Sequence, residues 1–273
     1  MSAAVTAPAP VTSARKRPSP PLLRVVEREW QVYRRLWRGL AFSMFLNPIL
    51  FLAAMGVGLG NLIDKTSGNV GGVSYLEFVA PGLMVASAVQ LAAGEALWPV
   101  MAGAKWLRFY HGIVATPIRA ADVFGGFVVW QAIRTMLGAT VFLLVAALLG
   151  AIVSPWGVLA IGTTALTAAA FCAPLAAFTV SQESDFSFPV IMRLGILPLF
   201  LFSGTFFPIS ELPNWLEPLA VLSPLWHGVA LARRATTGDL ALLPMLAHVA
   251  VLVAFIVGGW LAGTRTFTRR LTQ

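Results

Sequence analysis

Apolar positions in this chain run together rather than alternating, and charged residues mark where each run stops. Gly39 to Ile63 is the first run free of Asp, Glu, Lys and Arg. The second goes from Phe78 to Gly94 and extends past Glu95 to about Met101. From Thr135 to Gln182 no charge occurs at all, a length well beyond the about 20 residues that cross a roughly 30 Å hydrocarbon core. Ser154-Pro155-Trp156-Gly157 supplies the turn that divides it. A third helix then runs from near Asp122 to near Gly150, and a fourth fills the rest of the run. A fifth extends from about Phe186 to Phe207 around Arg193, and a sixth from Leu240 to Thr264. The pattern predicts an all-α membrane protein with six transmembrane helices over residues 40–264.

Three further elements have a different pattern. Residues 1–21 hold Pro8, Pro10, Pro18, Pro20 and Pro21 and are expected to be a disordered cytoplasmic tail. Over residues 22–39, Val26, Trp30, Tyr33, Trp37 and Leu40 recur at helical spacing opposite Arg24, Arg28, Gln31, Arg35 and Arg38. That is an amphipathic helix with an aromatic apolar face, suited to the membrane interface. A second amphipathic stretch, about 104–116, carries Trp106, Phe109, Tyr110 and Ile113 at i, i+3, i+4, i+7, with Lys105 and Arg108 facing elsewhere. Its spacing suits either snorkelling at the lipid surface or docking into a groove on a cytoplasmic partner. The stretch from about 208 to 240 holds Pro208, Pro213, Pro218 and Pro224 with Trp215 and Trp226. Proline at this density breaks helices every few residues, and tryptophan favours the headgroup level; short re-entrant helices at the outer leaflet are expected.

Charge sets the orientation. Fourteen Lys and Arg fall before the first span, in the loop after the second, or in the basic tail 265–273; only Lys65, Arg233 and Arg234 fall on the opposite side. By the positive-inside rule both termini lie in the cytoplasm. Composition agrees: 58% of the residues are hydrophobic, 11% are charged, and the mean hydropathy is +0.81. A soluble domain carries about 25% charged residues, so an ordinary soluble enzyme is excluded. The net charge of +8 is juxtamembrane rather than a folded basic face, which argues for a lipid bilayer and against nucleic acid.

Motifs for catalysis are missing from the text of the sequence. The three lysines, Lys16, Lys65 and Lys105, follow Arg15, Asp64 and Ala104, so none completes an ATP-binding loop, which needs glycine before its lysine. His111, His227 and His248 have no ligand spacing, and the single Cys172 rules out a thiolate cluster, so no metal is expected. Ser203 with His227 is the nearest text to an intramembrane hydrolase, but Leu201-Phe202-Ser203-Gly204 lacks the first glycine of such a loop. Charges within spans say more, because each costs about 2.5–3.5 kcal/mol at mid-helix on insertion scales and therefore faces protein or water. Glu95, Arg134 and Arg193 are the three. Glu95 is expected to pair with Arg193 or Arg134, as a packing bridge or as a proton relay.

Several strings together resemble the membrane subunit of type-2 ABC exporters, in the branch of nodulation lipo-oligosaccharide and daunorubicin-type drug exporters. They are Asn47-Pro48-Ile49-Leu50-Phe51, the run from Tyr75 to Gly82, Glu95 with Trp98, and Ala115-Thr116-Pro117-Ile118 with Asp122. The most distinctive runs from Leu201 through Ser203, Gly204, Phe206 and Phe207 to Pro208, followed by Leu212-Pro213 and Pro224-Leu225-Trp226-His227. The resemblance covers about Leu22 to the C-terminus. It implies a dimer with a second copy or a related permease, and a separate ATPase subunit that holds Mg-ATP, this chain needing no cofactor of its own. It makes Lys105, Trp106, Arg108, Phe109, Tyr110 and Ile113 the coupling helix, and Val26, Trp30, Tyr33 and Trp37 part of an interface helix. It assigns Ser203 to Pro208, Trp215 and His227 to re-entrant helices closing the exit, and spans two and five to the dimer seam. The exported solute is expected to be hydrophobic, amphipathic or lipid-linked. A proton-coupled secondary transporter using Glu95 is the alternative.

Overall fold

The computed structural model describes residues 19–60 and 72–272; the expected disordered tail up to residue 18, the end of the first span at residues 61–63, Lys65 and Gln273 lie outside the described residues. Among the described residues the chain is helical. α1 (Pro21–Phe51) starts with proline at its first position, where the missing N–H is unneeded, and continues as a π-helical stretch, Leu52–Leu59. The helix passes Gly39 without a break, so the amphipathic segment and the first apolar run are one rod. α2 (Tyr75–Met101) opens with a capping box in which Ser74 and Glu77 satisfy each other's backbone N–H, and continues through a π stretch, Ala102–Trp106. A short α3 (Phe109–Val114) precedes α4 (Ala120–Leu148). α5 (Leu159–Ser181) follows a 3-10 turn begun by Pro155.

α6 covers Phe188–Phe202 with a π stretch inside it. α7 (Glu217–Leu222) and α8 (Pro224–Thr237) fold the proline-rich segment, and α9 (Leu242–Leu271) closes the chain. Four helical stretches among the described residues are long and apolar enough to cross a membrane: Tyr75–Trp106, Ala120–Leu148, Pro155–Ser181 and Leu242–Leu271. α6 at about 1.5 Å per residue is roughly 22 Å long, short of the ~30 Å core; its expected continuation to Phe207 is replaced by a turn at Ser203 to Thr205 with Gly204 at φ 75°.

α5 is the hub, touching α2, α4, α8 and α9. Its buried positions are mostly small: Ala165, Thr167, Ala168, Ala169, Ala170, Cys172, Ala173, Ala176, Ala177 and Thr179. Small residues let helix backbones approach closely where lipid offers no hydrophobic drive between helices. Gly259 of α9 does the same from the other side, since a Cβ there would lie 2.6 Å from the Pro174 ring. The basic segment Arg265 to Arg270 is not a free tail. It forms the last turns of α9, anchored by Phe267, fully buried against Phe124 and Tyr110, and by Leu271.

Candidate functional site

A groove of about 500 Å³ opens between α1, α2 and α4. Pro48 and Phe51 form its α1 wall; Met84, Leu91 and Trp98 stand on α2, and Gly138 and Phe142 on α4. The Glu95–Arg134 pair also lines it, Arg134 Nη1 to Glu95 Oε1 at 2.7 Å. α2 runs on to Trp106, so Glu95 lies about 16 Å from the helix end. Breaking such a pair by removing one partner leaves the other charge uncompensated, at about 3–5 kcal/mol. The Arg134 Nε is buried and makes no hydrogen bond.

Of the two arginines expected to compete for Glu95, only Arg134 reaches it. Arg193 is exposed on α6, and no ion pair engages it among the described residues. Sequence gives depth along a helix but leaves its rotation open, and α6 turns Arg193 away from α2 with Val190 and Leu194, both exposed.

α1 packs along α4. Val25, not Val26, is its buried contact, against Gly126, where a Cβ would approach to 2.5 Å. Trp30 and Tyr33 meet the edge of Trp130 at ring separations of 6.2 and 5.5 Å; the Trp37 side chain lies outside the described ones. Arg28 stands 4.6 Å over the Phe109 ring and pairs with Glu29. Burial pushes the Glu29 carboxyl above the usual carboxylate range, opposed by Arg28 and, more weakly, by Arg134.

The Lys105–Ile118 segment departs from its spacing. Trp106 ends the α2 extension, and Arg108 turns the chain in the left-handed region at φ 53°, the one such non-glycine among the described residues. The four apolar positions therefore do not share one helical face. Tyr110 points inward, buried against Phe267 and packed edge-on to Phe109 at 4.6 Å; its phenol is driven well above its ordinary pKa by burial and next by Glu29. Phe109 and Ile113 pack beside it on the same buried cluster. Trp106, Leu107 and Arg108 are exposed together at the bend, and Ala115, Thr116 and Pro117 are exposed after α3. Lys105 bonds Glu183, whose other oxygen takes Arg270 at 3.1 Å, and the Lys105 bond holds the Glu183 carboxyl below the usual range.

At the opposite end of α2, Gly82 lies so close to Thr205 that a Cβ would sit 2.9 Å from the Thr205 carbonyl oxygen. Arg233 of α8 donates to the carbonyls of Phe78 (3.2 Å) and Gly204 (2.7 Å) and stacks 3.8 Å over the Phe78 ring. Ser203, fully buried, bonds Ser223 Oγ at 3.4 Å rather than His227. His227 instead meets His248 of α9, Nδ1 to Nδ1 at 2.7 Å, with Trp226 against both rings. Phe206 meets Phe200 edge-on at 5.4 Å, Phe207 and Pro208 are half-buried, and Trp215 is exposed. Sequence reasoning missed the His227–His248 contact, the bonds of Arg233 to two carbonyls and the exposure of Leu107. The first two are meetings of separate helices and leave no periodic trace.

The helices, the groove with its single internal ion pair and the closely packed turn at Gly204 define a membrane transport subunit. The chain belongs to the ABC-2 type transporter family, whose profile matches residues 22–236. It is similar to Nodulation protein J of Bradyrhizobium diazoefficiens, 32% identical over 252 residues, covering 89% of this chain and 93% of that protein. Nodulation protein J of Rhizobium leguminosarum bv. viciae is 29% identical, covering 89% of this chain and 94% of its own. The inner membrane transport permease YadH of Escherichia coli is 25% identical, covering 86% and 89% respectively.

Proposed function

We propose that this chain is the membrane-spanning permease of an ATP-driven exporter in the cell membrane, moving an amphipathic or lipid-linked solute with energy from a separate ATPase subunit. The observation that carries the reading is the groove between α1, α2 and α4, apolar along its walls and holding one neutralised ion pair. Such a groove suits a solute that is mostly apolar. Family membership and the likeness to Nodulation protein J support it.

In this reading the α1 rod and α6 complete six crossings, with α7 and α8 re-entrant at the outer side and both termini in the cytoplasm. The ATPase docks at the Lys105 end through Trp106, Leu107 and Arg108, which are exposed at the bend. Phe109, Tyr110 and Ile113 form the hinge that passes movement to α4 and α9. A second copy or related permease covers the α6 face, where Arg193 is exposed amid apolar residues at a depth costly to leave in lipid. Mg-ATP belongs to the ATPase.

The test is purification of the tagged chain from its native membrane in mild detergent. Co-elution of an ATPase with a phosphate-binding loop, together with ATP-dependent movement of a lipid-like solute in reconstituted vesicles, is expected. Reproducible elution without any nucleotide-binding partner overturns the reading.

A further inference from the structure

Four basic side chains that are far apart in the chain converge at the Lys105 end of α2. Lys105 stands on the α2 extension, Arg108 at the bend, His111 on α3 and Arg270 in the last turn of α9; with Ala104 they line a second cavity, of about 380 Å³. One acid answers them. Glu183 gives one carboxylate oxygen to Lys105 and the other to Arg270, while no ion pair engages Arg108 among the described residues. Three cations against one carboxylate leave two positive charges over, and the low-dielectric walls of a cleft concentrate their field.

His111 adds a second observation. Its Nδ1 is buried and makes no hydrogen bond, although the residue lines the cavity. A buried polar atom without a partner is rare in folded proteins and calls for an explanation such as a water, an ion or a ligand atom. A neutral imidazole can carry its proton on either nitrogen, so Nδ1 can donate to an oxygen brought into the cavity. A cationic ligand is repelled here, and an uncharged one leaves the surplus charge in place. A single carboxylate neutralises half of that surplus and offers its two oxygens in one plane. A phosphate carries its oxygens around one atom in several directions, which suits donors arriving from separate elements. Two of those donors are arginine forks, the side chains that match phosphate oxygens in pairs.

The surroundings point to a source. Trp106 and Leu107 are exposed beside the cavity, and tryptophan favours the headgroup level of a bilayer. Basic pockets among helix ends on the cytoplasmic side are seats for anionic headgroups. We propose that the cavity among Lys105, Arg108, His111 and Arg270 is a phosphate site, filled by the headgroup of an anionic phospholipid or by free phosphate, and that this anion competes with Glu183 for Lys105 and Arg270. Lys105 also donates to the Glu183 carbonyl at 2.9 Å, a bond that does not use the contested carboxylate. The anion is a resident that sets how α2 is tied to α9, separate from any solute in the groove, and the transport reading supplies only the bilayer.

The experiment uses the full chain in phosphatidylcholine nanodiscs. One arm raises the share of phosphatidylglycerol; the other adds inorganic phosphate against chloride at equal ionic strength. Melting temperature is the readout, because a ligand held by the folded chain raises it in proportion to occupancy. A saturable rise with phosphatidylglycerol alone assigns the site to lipid, and a rise in both arms assigns it to any phosphate group. Arg270→Gln should shift half-saturation upward roughly ten- to a hundredfold, the worth of one hydrogen bond from a charged donor. Arg269→Gln, the same charge change at an exposed neighbour that does not line the cavity, should leave it unmoved. His111→Phe should weaken binding and His111→Asn, which keeps a donor near the Nδ1 position, should recover most of it. Glu183→Gln removes the competitor and should tighten binding about tenfold.

A response that never saturates, or equal losses in Arg269→Gln and Arg270→Gln, reduces the effect to diffuse surface attraction and overturns the proposal. Unchanged or weaker binding in Glu183→Gln overturns the competition. If neither probe binds while Arg270→Gln lowers ATPase co-elution, the cavity receives a carboxylate of the partner and the phosphate site falls. If the site behaves as expected and no ATPase co-purifies, the transport reading fails and the phosphate site stands.

Discussion

The two ends of α2 are fastened by different chemistry. At the Phe78 end the turn at Gly204 lies against the α2 backbone, and Arg233 ties α8 to two main-chain carbonyls, at 3.2 and 2.7 Å. At the Lys105 end side chains do the fastening: the Tyr110 ring closes on Gly103 and Phe267, and the largely exposed Glu183 carboxylate is shared between Lys105 and Arg270. Backbone-close packing holds one arrangement, because a packed contact is either made or broken. A solvated ion pair is worth little and is easily exchanged. Elements that must move come from the weakly held end of a structure, so the difference supports movement starting at Lys105 and closure being maintained at Gly204.

The strongest way to break that comparison is to put the same side chain at Gly82, against the Gly204 turn, and at Gly112, on the short helix beyond the Lys105 end. Gly82→Val drives a branched side chain into the Thr205 backbone, which cannot rotate away, and should cost about 1–3 kcal/mol or more. For a chain of this size that is a drop of several degrees in detergent melting, at roughly 2–4 °C per kcal/mol. Gly112→Val on α3 has open space around its Cβ and should stay within about 1 kcal/mol of wild type, most of it the poorer fit of a branched residue weighed against glycine's own penalty in a helix. Equal losses at the two positions, read by fluorescence-detected melting, would remove the distinction.

Arg233→Met comes next. It keeps length and removes the donors, leaving the Phe78 and Gly204 carbonyls without their bonds at about 2–3 kcal/mol. Arg233→Lys should recover only part, because one ammonium lacks the planar fork that reaches two carbonyls while lying over a ring. A fully restored melting temperature in the lysine variant would show that charge alone holds this end.

How far these features were legible depends on whether they repeat along the chain. Glu95 stood out because one acid in a long apolar run breaks a pattern, and the same logic drew attention to Arg134 and Arg193. Which arginine met it was a matter of helix rotation, and a run that is apolar on every side does not encode rotation. Trp106, Phe109, Tyr110 and Ile113 have the spacing of one helical face only if the helix is unbroken. Arg108 breaks it with a positive φ, and nothing in an arginine signals that, as glycine or asparagine would. Gly39 lies inside one continuous helix, since a lone glycine costs only about 1 kcal/mol and a rod packed on α4 absorbs it.

Smaller effects test the Lys105 end. Glu183→Gln should leave the melting temperature unchanged and instead loosen the segment, read as faster hydrogen exchange at the Phe109–Val114 amides. The pH dependence has a fixed sign. The Lys105 bond lowers the folded Glu183 pKa, so the tie is complete above the ordinary carboxylate range, about 4.3, and is lost as pH falls through the lowered value. Once corrected for intrinsic exchange, wild-type protection should fall in that window, while Glu183→Gln should be flat through it. An identical pH profile in both proteins would assign the ordering to Tyr110 and Phe267 alone.

A small change in stability separates shape from charge at Arg108. A non-glycine residue in the left-handed region is strained by about 1–2 kcal/mol, and glycine relieves that strain while adding about 0.5–1 kcal/mol of unfolded-chain entropy. Arg108→Gly should therefore melt slightly higher than wild type, by less than about 1 kcal/mol. Arg108→Lys keeps both the strain and the cation and should melt like wild type. Their effects on ATPase capture should run the other way: if the exposed cation makes the contact, the lysine variant captures normally and the more stable glycine variant captures less. Normal capture by both would mean that the bend, which presents Trp106 and Leu107, is what the partner reads. A tighter capture by Arg108→Gly would mean that the strain opposes docking and is released when the partner binds.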